Sequence, residues 1–430
     1  MTAPAPAPLP PNVPDGPGGV PVVREDSILE LHPLAVRDED EEIVVGRTDT
    51  GDFIALPPVG ARALGLLAEG HTPAQTRRLL RAQTGQNLDI TGLATDLVPL
   101  GFVATCDGQP VPGPAPLRPT WPRLSPAAVA WTLHPALPVL LTTLVAVAVF
   151  VTVGRPQLWP GYRQLIWSEH TGLVLLVQAA IAWSLLGIHE LAHLITARAA
   201  GVPGRITFGT RLQFLVAQTE VPGIWAAPRR HRLTIYAAGM ATDVALASTA
   251  VLTAANTDAG TVVHRVALIV TTTVTITLTI QLMAFMRTDI YFLIQDLTGC
   301  RTLYAHAAAH ARHQARRVAA KLRRKPAPGT GPLATLPIRE ARIVRVYTLV
   351  LIAGTAMCLT AAAAVTIPFD LHLLTAAAGH LLDPSAPVAV RALDGGVVLL
   401  VLLAPQALWA RAWWRRHGHH LINRRRARAA

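Results

Sequence analysis

His189, Glu190 and His193 stand in the order His-Glu-Leu-Ala-His. On a helix, residues four apart share a face, so the two imidazoles can hold one metal ion between them. Glu190, beside the first histidine, is placed to take a proton from a water that such an ion polarises. The pattern predicts a zinc peptidase with one Zn2+ per chain and Glu190 as its catalytic base. The run before it, Gly172 to Ile188, is almost wholly apolar. The three ionisable groups therefore end a helix that reads as membrane-spanning, where each costs about 2.5 kcal/mol or more to insert. Such groups demand partners. The competing reading is a polar helix end that bonds to neighbouring helices or reaches water.

Two histidines do not complete a catalytic zinc site, which normally has three protein ligands and one open position. Asp289 follows the fourth apolar run at the depth of the two histidines. Asp296, about two helical turns further on, is its nearest competitor. Asp243, inside the third run, is suited to hydrogen-bond a ligand or the substrate backbone. Asp394 opens the sixth run at the opposite side, most of a bilayer away, and is rejected as a ligand.

These residues need a scaffold, and composition describes it. Of 430 residues, 51% are hydrophobic and only 15% charged, and the mean hydropathy is +0.38. That is too apolar for an ordinary soluble chain and implies a mainly α, polytopic membrane protein. About six transmembrane helices are expected: Pro135–Val153, Gly172–Thr196, Leu233–Ala254, Val266–Met286, Val346–Ile367 and Leu393–Trp409. Basic residues crowd the loops after the second and fourth runs and the tail after the sixth, while the loops 154–170, 256–261 and 368–387 carry few. This alternation places both termini on the cytosolic side of the cytoplasmic membrane. The net charge of +12 and pI near 10.8 are thereby assigned to orientation and lipid headgroups, not to nucleic acid. Cys106, Cys300 and Cys358 are too scattered for a disulfide framework or a cysteine metal cluster.

The chain divides by composition. Residues 1–24 form a Pro/Gly-rich tail expected to be disordered, with no signal-peptide pattern. Residues 28–105 read as a small α+β, winged-helix-like domain in the order β-β-α-α-α-β. Its hairpin joins Ile43-Val44-Val45 to Phe53-Ile54-Ala55-Leu56, and Thr72-Pro73 caps its second helix. A Pro-rich linker spans 110–126, a four-span membrane core 131–305, a basic cytoplasmic loop 306–345, and two further spans with a basic tail 346–430. Within the core, Arg205 to Thr219 alternates in parts and reads as a strand pair at the membrane surface. Its edge can receive an extended peptide, with Phe208 and Phe214 as substrate-binding candidates. An amphipathic re-entrant loop is the competing reading.

Four segments carry a resemblance to a known family: Ile188 to His193, Glu220 to Arg232, Ala238 to Asp243, and Thr288 to Leu297. Over roughly residues 180–305 the chain resembles the site-2 protease group of intramembrane zinc metallopeptidases. Within that group it is most similar to the branch of peptide zinc metalloproteases of modified-peptide biosynthesis. The resemblance implies zinc on His189, His193 and Asp289, hydrolysis by water with Glu190 as base, and a small ribosomally made precursor peptide or its leader as substrate. Ile290 replaces the family's usual Gly, and Met240 and Asp243 replace its Pro and Asn. The N-terminal domain is similar to PqqD-like peptide-recognition domains, which implies capture of a leader peptide. Other peptide-maturation or export proteins are possible partners on this reading. The alternatives are a non-catalytic scaffold or export subunit, and a regulated intramembrane protease acting on a membrane-anchored regulator.

Overall fold

A computed structural model describes the backbone of residues 21–429 apart from 40–41, 212–213, 325, 327–328 and 386; the side chains of 210–216, 412 and 416–429 fall outside the described set. Most of the tail expected to be disordered, residues 1–20, lies outside the described residues. The chain forms two compact units. One contains residues 1–124 with 200–205 and 220–228; the other contains 125–199, 206–219 and 229–430.

In the first unit an antiparallel meander, β2 (Ala35–Glu39), β3 (Glu42–Gly46) and β4 (Phe53–Leu56), precedes three helices, α1 (Pro58–Ala68), α2 (Pro73–Thr84) and α3 (Ile90–Leu97). A second small sheet pairs β1 (Leu29–Leu31) with β5 (Val103–Cys106) and β5 with β6 (Gln109–Pro110). The helices begin where the sequence places them. Thr72 accepts from the Gln75 amide while the Gln75 side chain accepts from the Thr72 amide, and Gly85 ends α2 at a φ of 72°. The single hairpin and closing strand expected from sequence are instead two three-stranded sheets. β2 escaped notice because its Arg37, Asp38 and Glu39 are the charged residues of an edge strand, which mask the apolar alternation. Leu29, Leu67, Leu80, Ile90, Leu97, Phe102 and Val103 fill the core.

The turn between β3 and β4 is fixed by a buried cation. Arg47 donates to Asp49 at 3.0 and 2.6 Å and to the Gly101 carbonyl at 2.7 Å. Hydrogen bonds from Arg47 hold the Asp49 carboxyl below its ordinary range. The turn lies so close to residues 222–223 that a Cβ at Gly51 would strike Pro222, and one at Gly223 the Thr48 backbone. Arg37 also donates to the Ala226 carbonyl at 3.3 Å.

Among its described residues the second unit has six helices long and apolar enough to cross a membrane: span one, Ala136–Val153; span two, Thr171–Ala199; span three, Arg229–Ala255; span four, Val262–Gln281; span five, Ile338–Leu382; span six, Val388–Arg415. This is the architecture of a mainly α, multi-pass membrane protein whose spans meet lipid. All six spans differ from the expected bounds at one end or both, and two of the differences have a local cause. Span four stops at Gln281, not Met286, because the chain breaks there into a short turn, Ala284–Met286, with Arg287 at a φ of 58°. Span five does not end at Ile367. It passes through a π-helical turn, Ala362–Thr366, and continues to Leu382, so most of the loop expected over 368–387 is helix. Pro368 lacks an amide proton, and the wider turn just before it accommodates the missing bond. After span four come a short helix, Asp289–Thr298, and a basic helix, Leu303–Leu322. The expected strand pair forms, as β7 (Arg205–Arg211) and β8 (Phe214–Glu220).

Candidate metal centre

His189 and His193 lie one turn apart near the end of span two, and both are buried. Their Nε2 atoms are 3.1 Å apart, and Asp289 Oδ2 stands 3.0 Å from the first and 3.2 Å from the second. Asp289 occupies the first position of its helix, directly after the break that ends span four. His189, His193 and Asp289 therefore offer three ligand atoms within reach of one ion.

The other ring nitrogens decide what the three atoms can do. His193 Nδ1 lies 2.7 Å from the Ile235 carbonyl, which can only accept, so Nδ1 carries the proton. His189 Nδ1 lies 2.8 Å from Asp243 Oδ2, which fixes the same tautomer. Both Nε2 atoms then present lone pairs, as does the Asp289 carboxylate. Nε2 of His189, Nε2 of His193 and Asp289 Oδ2 lie 3.0–3.2 Å apart, close enough for one cation, a proton or a metal ion, to be shared among them. Two imidazoles and one carboxylate, each imidazole braced through its far nitrogen, make a donor set that could hold one metal ion.

Span three supplies the bracing from one face. Ile235, Gly239 and Asp243 repeat at intervals of four, and all are buried. A Cβ at Gly239 would collide with Nε2 of both histidines, so only glycine leaves room at this position. From the other side, Gln281 donates its amide to Asp289 Oδ2 at 3.1 Å and accepts from the Asp289 backbone amide at 3.2 Å. The Thr288 hydroxyl donates to the Gln281 carbonyl at 2.7 Å, which closes the break into a tight loop.

Asp296 is committed elsewhere. It accepts both arms of the buried Arg232 guanidinium, at 2.7 and 2.9 Å. Asp394 accepts from the Gly172 amide at 2.8 Å and faces His170 Nδ1 at 3.1 Å, at the start of span two. That is about 25 Å along the helix from His189. Asp243 bonds His189, one of the two histidines expected to hold the metal. Glu190 is buried, and the Thr219 hydroxyl on β8 lies 2.7 Å from its Oε2. The Phe208 ring, mostly exposed, lies 6.3 Å from that of Trp183 on span two. Phe214 opens β8, and its side chain is outside the described residues.

Sequence reasoning missed Gln281, Thr219, Ile235 and the need for glycine at 239. The four-residue repeat ending at Asp243 was a visible signal for two of these. Asp243→Asn is expected to weaken metal binding by about 10–100-fold, because the amide holds the His189 proton without a charge. Competition against a chromophoric chelator measures this, and unchanged affinity would remove Asp243 from the site. No family model, no curated protein and no solved structure matches the chain.

Proposed function

We propose that the protein is an intramembrane zinc metallopeptidase of the site-2 protease kind. Its metal would be held by His189, His193 and Asp289. The observation that carries this reading is the convergence of three potential ligand atoms, with both imidazoles hydrogen-bonded through their far nitrogens. A zinc ion bound there supplies Lewis acidity towards water and the scissile carbonyl. Glu190 follows His189 directly, and one of its carboxylate oxygens is engaged by Thr219. Its other oxygen takes the proton from the attacking water and passes it to the leaving amine. The Gln281 amide, beside Asp289 Oδ2, is placed to donate to the carbonyl oxygen as charge builds there.

The substrate proposed is a small ribosomally made precursor peptide or its leader, captured by the N-terminal unit. It would be read in extended form along the β7–β8 edge beside Phe208, since a helical peptide shields its scissile amide. The chain would sit in the cytoplasmic membrane with both termini cytosolic, as the basic loops indicate.

Elemental analysis of the detergent-purified protein tests the site. About one zinc per chain is expected in the wild type and in Glu190→Gln, and close to none in His193→Ala and Asp289→Ala. Glu190→Gln should lower the rate of peptide cleavage by 10²–10⁴-fold. A wild type that takes up no zinc on reconstitution would end the peptidase reading and leave a non-catalytic scaffold.

A further inference from the structure

The β7–β8 hairpin touches span two at two points. Near its middle the Phe208 ring leans on Trp183, the two planes at 57°. At the far end of β8 the Thr219 hydroxyl stands 2.7 Å from Glu190 Oε2 and 2.9 Å from the Glu190 carbonyl. Trp183 and Glu190 are seven residues apart, two turns along one face of the helix. The hairpin face bearing Phe208 and Thr219 is thus the one turned to the helix that carries His189 and His193.

A carboxylate that serves as a base must present one oxygen at a fixed place and angle. Glutamate has three rotatable bonds, and burial alone does not choose among their rotamers. Thr219 chooses: its single proton, shared between the side chain and backbone of one residue, ties Glu190 back on itself. We infer that Thr219 is the positioning residue for Glu190, and that β8 thereby belongs to the catalytic machinery as well as to the substrate ledge. A peptide that pairs with the hairpin stiffens the strand that holds the base, so the base is set most firmly when substrate is seated. This inference rests on the peptidase reading.

The test uses the full-length protein in detergent micelles and a set of synthetic apolar peptides carrying a fluorophore and a quencher. Thr219→Val keeps the shape of the side chain and loses the proton. It should lower kcat by about 10²-fold, the cost of a misplaced reacting group, while KM stays within about threefold. Thr219→Ser, which restores the hydroxyl, should recover kcat to within about threefold, and zinc content should match the wild type in both variants. A second readout needs no turnover. Glu190→Ala should speed amide hydrogen exchange in residues 217–220, because Thr219 loses its anchor.

Wild-type kcat in Thr219→Val, or a serine variant no better than valine, overturns the inference and leaves the peptidase standing. Unchanged exchange in β8 of Glu190→Ala also overturns it. A wild type that binds zinc but cuts none of the peptides removes the peptidase reading, and the inference with it.

Discussion

Gly239→Ala should weaken metal binding although it changes none of His189, His193 and Asp289. The added methyl group would collide with Nε2 of His189 and of His193 together, at the side where both lone pairs converge. Neither ring can swing away cheaply, because its Nδ1 proton is committed to Asp243 or to the Ile235 carbonyl. Overpacking of a rigid site costs about 1–3 kcal/mol. Here the strain acts on both imidazoles, so metal affinity should fall by about 5- to 150-fold. Zinc per chain after dialysis is the measurement, with Gly187→Ala as control, since no described atom lies within 4 Å of a Cβ there. Full zinc in Gly239→Ala would show that the ion, if present, is not held by the two Nε2 atoms.

The second large effect is on stability. Arg232 and Asp296 form a bidentate pair with side chains 2% and 3% exposed, joining span three to the helix that begins at Asp289. Arg229 reinforces it from the surface through the carbonyls of Asp296 and Leu297, at 3.2 and 3.1 Å. Removing one member leaves an uncompensated buried charge, at about 3–5 kcal/mol. Arg232→Met should therefore unfold at markedly lower temperature in detergent than the wild type. The double variant Arg232→Met with Asp296→Leu should regain most of the loss, because the charges go together. Since Asp296 shares a helix with Asp289, the single variant should bind zinc more weakly as well. A single variant as stable as the wild type would show that the pair does not hold this helix in place.

The parts of the site that were legible in the sequence have their own local pattern. His189 and His193 announce themselves by spacing, and Asp289 by standing at the matching end of a span. Asp243 stood out as an acid in an apolar helix. Thr219 and Gln281 had no such mark, because a hydroxyl on a strand does not say what faces it, and a glutamine at a helix end usually meets water. Gly239 is intermediate, since its interval from Asp243 was visible but its purpose depends on the rings opposite. Six spans could be counted from apolar length. The extent of the fifth could not, because a proline reads as a stop and a π turn leaves no compositional trace. The edge strand β2 was hidden by the charges that suit it to an edge.

The division of the chain also bears on how such a protein could be cut, fused or inherited. Residues 200–205 and 220–228 flank β7 and β8, yet they belong to the unit built on the first 124 residues. Pro222 and Gly223 lie against the turn that Arg47 and Asp49 stabilise, and one peptide bond separates Glu220 from the threonine that holds Glu190. The amino-terminal unit is therefore not an accessory that shuffling could add or remove cleanly. Grafting it onto another membrane protein, or expressing the spans without it, would leave two loop segments without their packing. A substitution in the turn at 48–51 is met most directly at 222–223, in the same unit.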